Sequence, residues 1–134
     1  MAVPAGGPRI SRIIPFYYYE SLDAAVEWYC EVIGLRKAWD GDWVVLLETT
    51  PGNCIGLVDS QHGAERAIGG VHKGALLAIE TPALEQWHEK LTRAGCPDSV
   101  GQIGIATDGL TERFIVRDPG GYQVEFFRWR QAWP

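Results

Sequence analysis

The chain has 134 residues, of which 46% are hydrophobic and 22% charged. That size and mix suit one domain with a real core, and they exclude a disordered or collagen-like chain. Twelve Lys and Arg against seventeen Asp and Glu leave a net charge of −5, which disfavours nucleic acid and anionic membrane as partners.

Arg12 to Tyr19 is a β-branched and aromatic run that predicts a first strand. Ser21 offers an N-cap hydroxyl with Asp23 in the first turn. Leu22, Ala25, Val26, Tyr29 and Ile33 then follow helical spacing, and Gly34 closes the helix. Leu35 to Trp39 and Trp43 to Thr49 predict two strands around the Asp40-Gly41 turn, across which the two tryptophans pair or form a rim or a dimer contact. Pro51-Gly52 turns the chain into a further strand, Cys54 to Asp59. Gln61 to Lys73 holds three glycines and no periodicity, so it predicts a linking loop.

The same order then returns. Ala75 to Glu80 predicts a strand, and Thr81 and Pro82 predict the N-cap and first residue of a second helix. Leu84, Trp87, Leu91 and Ala94 give that helix its apolar face, and Gly95 ends it. Strands are expected at Gly101 to Thr107, Glu112 to Arg117 and Tyr122 to Trp129. Asp108-Gly109 and Pro119-Gly120-Gly121 mark the turns between them, and Asp118 reads with the latter as turn chemistry, not a phosphate loop. Ile14 to Leu76 spans 62 residues, Leu22 to Leu84 also 62, and Gly34 to Gly95 61. Near-equal spacing argues for two modules: one at about 10–60, a linker at about 61–74 and the other at about 75–130. One helix covers one face of a four-stranded sheet. The expected class is therefore α+β, two tandem βαβββ modules with helices outside and the opposite, concave face around a cavity.

No apolar run approaches the ~20 residues of a membrane span. Met1 to Arg9 lacks the apolar stretch of a secretory signal. Cys30, Cys54 and Cys96 form no CxxC pair, so neither a disulfide framework nor a thiolate zinc site is indicated, and a cytoplasmic setting is expected. Arg128 and Arg130 among Trp129 and Trp133 make too short a run for single-strand binding and read as a docking tail.

Two motifs carry a resemblance. Ile14-Pro15-Phe16 followed by Ser21-Leu22-Asp23-Ala24-Ala25, Trp28-Tyr29 and Val32-Ile33-Gly34-Leu35 resembles the opening strand and helix of the vicinal oxygen chelate superfamily. This is the glyoxalase, bleomycin-resistance and dioxygenase fold. Arg117-Asp118-Pro119-Gly120-Gly121-Tyr122-Gln123-Val124-Glu125 is similar to its closing hairpin. The resemblance implies paired βαβββ modules, often in homodimers, forming a U-shaped mixed sheet around the cavity of the active site. It places the four metal-ligand positions of metal-dependent members on Ile14, Gly56, Leu76 and Glu125. Only Glu125 can ligate, whereas a divalent ion needs several donors. The expectation is therefore no metal and no cofactor, as in the family's metal-free, antibiotic-binding branch. His62, His72 and Glu125 are the one alternative donor set, against a reading of the two histidines as loop residues.

If Ile14 and Leu76 face the cavity, strand alternation brings Phe16, Tyr18, Ala78, Glu80, Cys54, Gly56, Val58, Gln123, Glu125 and Phe127 with them. Tyr17 and Tyr19 then pack under the helices. Apolar walls with few polar groups suit a small molecule, and aromatic walls favour flat or cationic ones. The first functional reading is sequestration of an aromatic or cationic natural product or antibiotic by a homodimer. The alternative is a metal-free isomerase, lyase or cyclase. There Glu125 or Glu80 would be the general acid/base and Tyr18 a hydrogen-bond donor to an oxyanion. Against it stands a structural partner for Glu125 in Arg113 or Arg117. A metal-dependent lyase, isomerase or dioxygenase is the third and least favoured.

Overall fold

In the computed structural model, residues 7–70, 72–94 and 99–131 are described. Module one runs β1 (Phe16–Tyr19), α1 (Leu22–Glu27), β2 (Arg36–Asp40), β3 (Val44–Glu48) and β4 (Cys54–Asp59). Module two runs β5 (Leu76–Glu80), α2 (Leu84–Arg93), β6 (Gly104–Ile105), β7 (Thr111–Arg117) and β8 (Gln123–Trp129). Each module builds a four-stranded sheet, in the orders β1-β4-β3-β2 and β5-β8-β7-β6. The first strand lies parallel to the last, and the other neighbours are antiparallel. The helix is the crossover that a parallel pair requires. The class is α+β, with two tandem βαβββ modules.

Ser21 caps α1, accepting from the Ala24 N–H at 3.3 Å. At Trp28 the helix widens into a π-helical segment, Trp28–Ile33, which apolar spacing did not show. It ends at Gly34, whose φ of 91° lies in the left-handed region that glycine enters freely. The Gly34 and Leu35 N–H groups both close onto the Tyr29 carbonyl.

Three boundaries differ from the sequence expectation. β1 begins at Phe16, not Arg12, so Ile14 precedes the strand. Pro15 has no N–H for a ladder, although its carbonyl accepts from Gly56. α2 begins at Leu84, not at Pro82, because the Thr81 N–H still donates to Phe127 of β8. The Thr81 hydroxyl instead accepts from Ala83. β6 shrinks to two residues at the sheet edge. The expected helix stop at Gly95, the tail residue Trp133 and Cys96 lie outside the described residues. Arg128, read above as part of a docking tail, is held by Glu85 and Glu112.

Burial follows parity except on β4, where Gly56 and Val58 are buried as well. Tyr17, Tyr19, Val45, Leu47, Ile55 and Leu57 of module one and Phe114, Val116, Val124 and Phe126 of module two share one core with Leu22 and Ala25 of α1 and Leu84 and Leu91 of α2. The two halves meet at Asp118, only 5% exposed. Its Oδ2 accepts from the Tyr19 hydroxyl at 2.5 Å and the Tyr29 hydroxyl at 2.8 Å. Its Oδ1 takes the Gly120 and Tyr122 N–H groups. Tyr122 in turn seals the edge of β1, bonding both the N–H and the carbonyl of Tyr18. Among the described residues no helix is long and apolar enough to cross a membrane.

Candidate functional site

With the helices on one face of each sheet, the other face stays open. On module one it is built from two cross-strand rows. Pairing links Trp39 to Leu46, Leu46 to Gly56 and Gly56 to Phe16, so one row crosses all four strands. The next row joins Val44, Val58 and Tyr18. Phe16, Tyr18, Trp39, Val44, Leu46 and Val58, with Trp43, Gly63 and Ala64, line a groove of about 320 Å³, and Gly56 lies beneath the Phe16 ring. None of the lining side chains is charged.

Simple alternation does not account for Trp39. The register shifts between Lys37 and Trp39, leaving Ala38 as the extra residue of a bulge. Lys37 pairs with Leu47 on the helix side, whereas Trp39 pairs with Leu46 on the open side. A bulge of this kind re-aims a side chain. Trp39 and Trp43 are therefore not cross-strand partners; they line the same groove.

The linker also contributes. Its first turn is fixed by Ser60 N–H to Tyr19, His62 N–H to Asp59 and Ala67 N–H to the Ser60 hydroxyl. That turn sets the His62 ring 5.5 Å from Trp43 and brings Gly63 against Tyr18. A Cβ on Gly63 would come 3.0 Å from the Tyr18 ring, and its φ of 78° is a second reason for glycine there.

The expected site residues divide between the two faces. Phe16, Tyr18 and Val58 come together in the groove, Gly56 lies beneath the Phe16 ring, and Cys54 stands one row away, opposite Glu48. Ile14, half-buried, lies before the strand. Leu76, Ala78, Glu80, Gln123, Glu125 and Phe127 share the open face of module two. There Ala78 pairs with Glu125, Leu76 with Gln123 and Glu80 with Phe127. Glu125 lies 3.6 Å from Arg113, the structural partner weighed above. Glu80 accepts from the Trp129 indole at 3.2 Å. Tyr18 thus belongs to one sheet and the two glutamates to the other. Val44, Leu46 and the linker pair Gly63 and Ala64 were not expected in a ligand site, and Trp39 and Trp43 were expected only as a cross-strand pair, a rim or a dimer contact. The bulge and the linker turn that bring in three of them leave no periodic signal in the sequence.

The donor set does not fit a divalent ion. A side chain projecting from Gly56 would collide with Phe16, since a Cβ there would lie 2.3 Å from the ring's Cδ1 and Cε1. The Phe16 ring already fills that space. Leu76 supplies no donor and Glu125 faces Arg113. His62 packs at a tilt against Trp43, and among the described residues no three His, Cys, Asp or Glu side chains gather.

The family model of the Glyoxalase/Bleomycin resistance protein/Dioxygenase superfamily matches residues 9–126. Among similar solved structures is a lactoylglutathione lyase from Agrobacterium tumefaciens. It has 20% identity and a TM-score of 0.71, over 91% of this chain and 96% of that one. A glyoxalase/bleomycin resistance protein/dioxygenase from Nocardioides superposes with a TM-score of 0.74 at 18% identity, over 97% and 91%. TioX from Micromonospora sp. ML1 gives 0.67 at 22% identity, over 88% and 98%. At these identities the likeness is one of fold. No curated protein matches the sequence.

Proposed function

The chain belongs to the glyoxalase/bleomycin resistance protein/dioxygenase superfamily, and since that fold hosts unrelated chemistries, we propose from the site itself that it binds a small aromatic molecule without a metal. The observation that carries this is the uncharged aromatic groove of module one. Phe16 is 47%, Trp39 53% and Trp43 40% exposed. Large apolar side chains gathered on one open face mark a binding surface more often than a stability device. The groove has the size and composition of a small-ligand site. Sequestration is favoured over turnover because the groove holds no group suited to proton transfer beyond the Tyr18 phenol, and Glu125 is paired elsewhere. A second copy of the chain is the natural cover for the open faces, where Phe16 and Leu76 are each about half exposed.

Calorimetry and thermal shift against a panel of planar antibiotics and dyes test this reading. Binding with a rise in melting temperature is expected, with no change in the ligand afterwards. Absence of binding across the panel, or chemical conversion of a bound compound, contradicts it.

A further inference from the structure

The two modules carry their bulk on opposite strands at equivalent positions. Phe16 and Ala78 are 62 residues apart, the interval that also relates Leu22 to Leu84. In module one the large side chain, Phe16, stands on the first strand and faces Gly56 on the last. In module two a small one, Ala78, stands on the first strand and faces Glu125 on the last. The Phe16 ring lies over Gly56 so closely that a single added carbon would meet it at 2.3 Å. Any other residue at position 56 therefore displaces the ring. At the far end of the same row, Trp39 reaches the open face only through the bulge at Ala38. The two residues sit three strand spacings apart, about 14 Å at the backbone. Leu46 forms the floor between them. The core needs neither ring, as their exposure shows.

We propose that Gly56 is the specificity-determining residue of the groove: by carrying no side chain it lets Phe16 lie down as a stacking platform for a planar aromatic cation. The choice of a cation follows from charge. No Lys or Arg lines the groove and the chain carries −5, while ring faces attract delocalised positive charge. This inference rests on the ligand-binding reading above and adds the shape and charge of the guest.

The probe is proflavine, a flat tricyclic cation, titrated by fluorescence against the full chain and its Gly56→Ala, Phe16→Ala and Phe16→Tyr variants. Circular dichroism checks that each is folded, and anthraquinone-2-sulfonate serves as a planar anion. Wild type and Phe16→Tyr are expected to bind proflavine alike. Phe16→Ala and Gly56→Ala should each lose about tenfold or more, the effect of removing one stacking ring. The anion should bind more weakly than the cation. If wild type binds proflavine and Gly56→Ala binds it equally well, the role of Gly56 is overturned while the ligand-binding reading stands. Should Gly56→Ala not fold, equal affinity of Phe16→Ala and Phe16→Tyr overturns the platform. Failure of wild type to bind any planar compound removes both.

Discussion

Replacing Asp118 tests how the modules are joined. Its carboxylate receives two tyrosine hydroxyls from module one and two backbone N–H groups of its own turn. Asp118→Ala leaves all four donors without that acceptor, inside a site only 5% exposed. Net hydrogen bonds to a charged group are each worth about 1.5–3 kcal/mol, offset by the desolvation of the carboxylate. Losing one side of such a buried arrangement costs about 3–5 kcal/mol. For a chain of this size that is a fall in melting temperature of roughly 10–20 °C. Asp118→Asn keeps one oxygen for the two N–H groups and turns an NH₂ toward the hydroxyls, so about 1–3 kcal/mol is expected. Urea denaturation followed by tryptophan fluorescence measures both. A pH series sharpens the test. Burial raises the Asp118 pKa above the ordinary 3.8, outweighing the tyrosine and backbone donors that lower it. A raised carboxyl pKa means the folded chain holds the proton more tightly than the unfolded one. Between 3.8 and the folded value, stability from this group rises as pH falls and is lost as pH rises. The asparagine variant lacks that slope, so the wild type's margin over it should be larger at about pH 4 than at about pH 7. An Asp118→Ala protein within about 1 kcal/mol of wild type, or a margin independent of pH, would refute the reasoning.

Two further outcomes follow from single residues. Glu125→Gln breaks a partly exposed ion pair with Arg113, so its stability should change by less than about 1 kcal/mol and groove binding should persist; a loss of binding measured by calorimetry contradicts the placing of the site on module one. Gly34→Ala forces a side chain into a φ of 91° and should cost about 1 kcal/mol or more by denaturation, whereas Gly104→Ala, with open space around it and no positive φ, should cost less.

The fold was legible because period and punctuation agree twice along the chain. Ser21, Gly34 and the Asp118–Gly121 turn marked the ends of elements correctly, and strand parity separated Tyr17 and Tyr19 from Phe16 and Tyr18 as the structure does. What parity cannot show is a change of parity. The bulge at Ala38 reverses the face of Trp39, and nothing in the composition of β2 announces it. Asp118 read as turn chemistry because its hydroxyl partners, Tyr19 and Tyr29, lie 99 and 89 residues away. Thr81 read as an N-cap because its bond to Phe127 is equally remote in sequence. The candidate site was half legible for the same reason. Phe16, Tyr18 and Val58, and Gly56 beneath Phe16, follow from alternation along single strands, whereas Gly63 and Ala64 enter through tertiary folding of a linker.

The account's central claim is that a flat guest is held in the module-one groove. Proton–nitrogen correlation spectra of the tryptophan indoles during a proflavine titration address it directly. Trp39 and Trp43 line the groove, while Trp87 stacks on Phe126 and Trp28 meets Tyr29 edge-on, both half-buried against the core. The account predicts that the Trp39 and Trp43 indole signals shift to saturation while those of Trp28 and Trp87 stay in place. Saturable binding that leaves Trp39 and Trp43 unmoved would contradict it.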